Sequence, residues 1–253
     1  MRVLVCDDLA QEGIDILKQE FDVDVRTKLS EDELVEIIPN YDAIVVRSAT
    51  KVTQRVIENS DLKVIGRAGV GVDNIDVDTA TKRGILVVNA PEGNTIAASE
   101  HTVALLMAAA RNIPAAVMSL KNKKWDRKKF MGMELRGKTL GVVGLGRIGK
   151  DVAKKAIGLG MNVIAYDPYV IKDHVESLNV KVADLDTVLK EADFITFHVP
   201  MNKSTYHMIN KERIEMMKDG VIIINCARGG IIDEAALYDG LVSGKIAACA
   251  LDV

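Results

Sequence analysis

Leu140-Gly141-Val142-Val143-Gly144-Leu145-Gly146-Arg147-Ile148-Gly149 decides the fold. An apolar run that turns through spaced glycines into an amphipathic run marks the passage from a buried strand to a helix. Gly144 permits the tight turn, Gly146 lets the backbone approach a diphosphate, and Gly149 lets the helix pack close to the strand. The helix expected from Arg147 to about Ile157 has Ile148, Val152, Ala153 and Ala156 as its apolar positions. Its first amides, at Arg147 and Ile148, and its dipole favour phosphate. Alone, G-x-G-x-x-G is weak, because glycine-rich turns are common. Here a second strand ends at Asp167, about twenty residues on, where an acid accepts hydrogen bonds from ribose hydroxyls. Pro168 follows, with no adjacent arginine to offset repulsion of a 2′-phosphate, so NAD is expected over NADP.

Outward from this turn the chain alternates short apolar runs with amphipathic ones, the pattern of parallel strands and covering helices. Strands are expected at Leu140–Val143, Val163–Tyr166, Val180–Val182, Phe194–His198, Val221–Asn225 and Ala247–Asp252. Six in βαβ succession fit a Rossmann domain, expected over 95–253. Earlier strands at Val3–Cys6, Val23–Arg26, Ala43–Val46, Val64–Gly66 and Leu86–Val88 alternate with helices such as Gln11–Gln19, with Ile14 and Leu17 inward, and Glu31–Ile38. They predict a smaller α/β domain of flavodoxin-like type over 1–94, again with a parallel sheet. Between the two, Thr95–Leu120 reads as one long helix, too apolar all round to face solvent. It is to be buried inside one domain, between domains, or against a second subunit, and a homodimer is expected. The basic run Lys121–Phe130, holding the single tryptophan Trp125, is either a solvated linker or a rim that attracts an anion.

Composition narrows the class. Across 253 residues, 48% hydrophobic and 27% charged content is that of a globular protein with a buried core. A net charge of −3 argues against a nucleic-acid binder. No apolar stretch nears the ~20 residues that span a bilayer, and the start, Met1–Asp8, has too short an apolar run for a signal peptide. Cys6, Cys226 and Cys249 are too scattered for a disulfide framework or a Cys-x-x-Cys metal site. A cytoplasmic protein without metal or membrane partner is expected.

Several segments resemble the D-isomer-specific 2-hydroxyacid dehydrogenases. They are Val46–Thr53, Gly66–Asp76, Pro91–Thr95, Lys129–Gly132 with Gly137–Thr139, the fingerprint itself, and Asn225–Glu234. Arg47-Ser48-Ala49-Thr50 and Arg67-Ala68-Gly69 point to the branch acting on phosphoglycerate. The resemblance implies a substrate domain, an NAD domain, and an active site in the cleft between them. It implies NAD-dependent oxidation of 3-phospho-D-glycerate to 3-phosphohydroxypyruvate, with glyoxylate or hydroxypyruvate reduction as the alternative. The residues themselves agree in type. Arg47 and Arg67 follow strands, at the edge where open α/β sheets bind ligands, and an arginine fork suits phosphate or carboxylate. A surface salt bridge is the plainer reading of each. Ser48 joins them by resemblance, and the turn Gly69-Val70-Gly71 offers amides to a carboxylate. Asn94 matches a position near substrate and nicotinamide, or is a helix N-cap.

Arg228 is the catalytic candidate, following a strand and preceding Gly229 and Gly230, which let its side chain turn. The resemblance gives it the task of orienting the 2-oxo acid and polarising the carbonyl. It also sets Val70, Val199, Cys226, Ala227, Arg228 and Asp252 along the cofactor, with Cys226 a small wall residue rather than a nucleophile. Asp233 reads as a helix N-cap. His101 should pack or hydrogen-bond on the long helix, His174 and His207 are surface or loop residues, and His198 ends a strand outside the family's catalytic pair. That pair is a histidine acid/base and a glutamate that raises its pKa. By resemblance both fall after Val253, so the chain as given is expected to lack them, together with the helix that closes the substrate domain. A non-catalytic NAD-binding fragment therefore stands beside the enzyme readings.

Overall fold

The computed structural model describes residues 1–169 and 178–253, so His174 lies outside the described residues. The chain forms two compact units, Met1–Asn94 and Thr95–Val253.

The first unit runs β1 (Arg2–Val5), α1 (Gln11–Glu20), β2 (Asp22–Val25), α2 (Glu31–Ile37), β3 (Ala43–Val46), α3 (Gln54–Glu58), β4 (Val64–Arg67), α4 (Val77–Lys82) and β5 (Leu86–Asn89). Its strands are parallel in the order β2-β1-β3-β4-β5, the flavodoxin-like order. Leu4, Ile44 and Ile65 of the sheet meet Leu34, Val56 and Ile57 of the helices in one core. Ile14 of α1 is buried as expected, whereas Leu17 is only half-buried. Ser30 starts α2 with a capping box: its hydroxyl accepts from Glu33 N at 3.3 Å, and its own amide donates to Glu33 Oε2 at 2.8 Å. Pro39 stands in the 3₁₀ turn Ile38–Asn40 that follows.

The second unit runs α5 (Thr95–Ala110), α6 (Ile113–Lys121), β6 (Thr139–Val143), α7 (Arg147–Gly158), β7 (Asn162–Tyr166), β8 (Lys181–Val182), α8 (Leu185–Glu191), β9 (Phe194–Phe197), α9 (Lys211–Met216), β10 (Val221–Asn225), α10 (Glu234–Ser243) and β11 (Ile246–Leu251). Its parallel order, β11-β10-β9-β6-β7-β8, is that of the dinucleotide-binding Rossmann sheet. One core holds Val188, Leu189, Ile195, Phe197 and Ile223, and another holds Leu106, Leu140, Val142, Val152 and Phe194. β9 stops at Phe197 and β11 at Leu251, so His198 and Asp252 stand one residue past their strands, each with its amide still bonded to the neighbouring strand.

One expectation needs correction. Thr95–Leu120 is two helices, α5 and α6, bent by 63°. Asn112 takes a left-handed φ of 53°, and Pro114 brings no amide to the first turn of α6. Periodicity could not show this break, because both halves are apolar. α5 buries Ser99, Thr102, Leu106 and Ala110, whereas α6 buries nothing. Among the described residues no single helix is long and apolar enough to cross a membrane, and no group of His, Cys, Asp or Glu could hold a metal ion.

Candidate functional site

In the second unit the glycines between β6 and α7 are set by contact. Gly144 has φ +96°, and a Cβ there would lie 2.6 Å from the His198 carbonyl oxygen and 2.9 Å from Val199 Cγ1. A Cβ on Gly149 would collide with the Gly144 carbonyl. Gly146 differs: a Cβ would meet nothing within 4 Å, so its backbone faces open space at the start of α7, where no side chain caps the helix. The first helical amides there lack intrahelical acceptors, and the dipole adds partial positive charge. Asp167, just past β7, is held by two backbone amides. Leu145 N donates to Oδ2 and Tyr169 N to Oδ1, each at 2.8 Å. Each oxygen keeps a further lone pair for a ribose hydroxyl. The open cradle at Gly146 beside a fixed acceptor fits the diphosphate and adenosine ribose of NAD. Arg147, Ile148 and Val199 line the same turn.

Past β10 a second turn is held by a buried amide. Asn225 Oδ1 accepts from Ala227 N at 3.0 Å, and its Nδ2 donates to the Arg228 carbonyl at 2.9 Å. Both ends of this side chain hold Cys226–Arg228 at the carboxyl edge of the sheet, and Arg228 Nη1 donates to Ala227 O at 2.6 Å. Burial, with the Asp252 charge adding, pushes the Cys226 thiol up against the opposing Thr102 hydrogen bond, which leaves little thiolate. Asp233 caps α10 by accepting from Ala236 N at 3.1 Å. His198 is held at about 4 by burial, with Nε2 3.1 Å from Thr196 Oγ1. His207 stacks on Tyr206 with ring centroids 4.0 Å apart. Of the two roles expected for His101, packing or hydrogen bonding, the structure shows a polar one: it is exposed, with Nε2 3.5 Å from Asp252 Oδ1. The loop after α6 leaves Trp125 74% exposed.

The first unit builds its sheet edge from polar clasps. Buried Asp7 accepts from Arg47 N (2.5 Å) and Thr50 Oγ1 (2.8 Å), and Asn74 Nδ2 donates to the carbonyls of Arg47 (2.7 Å) and Thr50 (2.6 Å). The turn carrying Arg47 and Ser48 is thus tied at both ends, with both residues exposed. Arg67 closes β4, one strand over, paired in register with Val46. Its guanidinium lies across Gly69, where a Cβ would overlap it. Asn89 Nδ2 donates to Val70 O at 2.6 Å and pins that turn. Asn94 is exposed ahead of α5. The roles of Asp7, Asn74, Asn89 and Asn225 were missed by sequence reasoning. A polar residue closing an apolar strand was the available signal for Asp7, Asn89 and Asn225, and nothing local marked Asn74.

Residues 103–253 match the family model for the D-isomer specific 2-hydroxyacid dehydrogenase, NAD binding domain. The chain belongs to this family. A D-3-phosphoglycerate dehydrogenase of Archaeoglobus fulgidus is 57% identical across the whole chain, which covers 48% of that protein. A hydroxypyruvate reductase of Thermotoga maritima is 51% identical, again across the whole chain, which covers 82% of it. Among solved structures, a D-lactate dehydrogenase from Aquifex aeolicus complexed with NAD and lactic acid superposes with a TM-score of 0.90 at 33% identity, covering all of this chain and 77% of that one. The chain spans about half the length of the curated phosphoglycerate dehydrogenases it matches. NAD is the family's cofactor, and the Gly144–Gly149 turn with Asp167 lies inside the matched segment.

Proposed function

We propose that the chain carries substrate- and cofactor-binding parts of an NAD-dependent dehydrogenase that oxidises 3-phospho-D-glycerate to 3-phosphohydroxypyruvate, the entry to serine synthesis. The reading is carried by Arg47 and Arg67 at the carboxyl ends of neighbouring strands β3 and β4. A substrate bearing both carboxylate and phosphate calls for two cationic forks, and an uncharged tail calls for one. Ser48, Asn94 and the Gly69–Gly71 turn, through the amides of Val70 and Gly71, add donors for the same acid. NAD would supply an acceptor for the hydride of C2, and Asp167 would exclude a 2′-phosphate by charge. Val199, Cys226, Ala227 and Asp252 wall the cofactor. Arg228 orients the acid and, in the reverse direction, offsets charge growing on the carbonyl oxygen. The hydroxyl proton leaves to a general base, and His198 is a weak one, since burial holds its imidazole at about 4.

The working form is a cytoplasmic homodimer. α6 leaves Ile113, Val117, Met118 and Leu120 exposed, with Trp125 and Met131 also exposed in the segment that follows. A second copy covers apolar surface of this kind. A reductase acting on hydroxypyruvate or glyoxylate is the second reading, favoured by the 51% identical relative of which the chain covers the larger share. Initial rates separate them. The expected result is a kcat/KM about tenfold higher for 3-phospho-D-glycerate with NAD than for hydroxypyruvate or glyoxylate with NADH, with Arg47→Ala losing about 1.4 kcal/mol on the phosphorylated substrate alone. A preference for hydroxypyruvate installs the second reading, and NADH binding without turnover leaves a cofactor-binding module.

A further inference from the structure

α5 is tied to both halves of the second unit's sheet. Ser99, fully buried, donates its hydroxyl to Asp151 Oδ2 on α7 at 2.5 Å, and Lys155 Nζ donates to Ser99 Oγ at 3.1 Å. The next turn reaches the other way. Thr102 hydrogen-bonds the Cys226 thiol past β10, and His101 Nε2 stands 3.5 Å from Asp252 Oδ1 past β11.

The sheet order says what lies there. In β11-β10-β9-β6-β7-β8 the strand sequence reverses between β6 and β9. A dinucleotide laid across the carboxyl edge puts one nucleotide over each half. Asp167 follows β7 and marks the adenosine half, so the edge past β9, β10 and β11 is left to the nicotinamide nucleotide. Asp252 stands on that edge. Its backbone is fixed, since its amide donates to Asn225 O at 3.0 Å and carries the β10–β11 ladder one residue further. Its side chain is 59% exposed and would otherwise sample several rotamers. A carboxylate there can only accept, and the nicotinamide end offers it the carboxamide N–H groups.

We propose that His101 is a positioning residue for the nicotinamide end: it holds the Asp252 carboxylate in the orientation that accepts from the cofactor's carboxamide. This rests on the reading of Asp252 as a cofactor residue. An ordinary strap between α5 and β11 would show the same pair of side chains. ADP-ribose separates the two roles, because it has the adenosine, the diphosphate and the second ribose but no nicotinamide.

The experiment is calorimetric titration of the whole chain with NADH and, separately, with ADP-ribose. His101→Leu should raise the NADH Kd about three- to fivefold, in keeping with an exposed pair, and leave the ADP-ribose Kd within about twofold. His101→Gln, whose amide can donate to the same oxygen, should restore most of the loss. On an Asp252→Ala background, His101→Leu should add nothing further, the signature of action through that residue. Equal weakening of both ligands makes His101 a strap and overturns the proposal, as does an unchanged NADH Kd or an additive double variant. Asp252→Ala alone leaving NADH affinity intact removes the Asp252 reading beneath it. Failure of the unaltered chain to bind either ligand defeats the cofactor site itself.

Discussion

The turn between β6 and α7 in the second sheet and the turn past β3 in the first both follow parallel strands, yet opposite means shape them. Between β6 and α7 the turn exists because side chains are missing. Gly144 and Gly149 let backbone meet backbone, and Gly146 stays open. Past β3 the turn exists because side chains are present. Asp7 and Asn74 supply the hydrogen bonds that the turn backbone has lost from the ladder. A turn made by omission can be recognised from the few residues that omit. A turn made by distant clasps cannot, since Asp7 and Arg47 are forty positions apart.

Gly149→Val should break the first kind of turn most severely. Its branches have no room against the Gly144 carbonyl. We expect roughly 3 kcal/mol or more lost from the second unit and no measurable NADH binding, read by urea denaturation and fluorescence titration. Acid should act next, through His198, whose carbonyl faces Gly144. Its folded pKa of about 4 lies below the ordinary imidazole value of 6.5, so the unfolded chain binds more protons between those values. Stability is therefore complete above about 6.5 and falls as the pH drops toward 4, by about 3 kcal/mol. Denaturation midpoints measured from pH 4 to 7 check this, and His198→Phe should flatten the curve. Asp7→Ala tests the second kind of turn. It strands Arg47 N and Thr50 N, costs about 2 kcal/mol, and weakens binding of 3-phospho-D-glycerate. NADH affinity should not move. A fall in NADH affinity as large as the fall in substrate affinity would erase the contrast between the two edges.

Much of the architecture was legible because hydrophobic period and glycine placement are local. Ala43–Val46 and Val221–Asn225 coincide with their strands, and other strand ends shift by a residue or so. The dinucleotide turn and Asp167 were legible for the same reason, as one continuous stretch. The break at Asn112 was hidden because a left-handed residue leaves no mark on apolar periodicity. The partner of His101 was hidden because Asp252 is 151 positions away, and a helix that looks apolar all round hides which face meets strand ends. Asn225 could have been suspected, as an amide closing four apolar residues, but its two bonds into the Arg228 turn are tertiary facts.

Asp167 is engaged by the Leu145 and Tyr169 amides, a contact made within the protein itself. In kinetic language, an adenosine ribose bound as proposed would meet an acceptor that need not first search for its orientation. The ordering entropy of that side chain belongs to folding rather than to association. Capture of this end of the cofactor is then a single encounter whose rate grows in proportion to concentration, with no slow isomerisation of the carboxylate ahead of it.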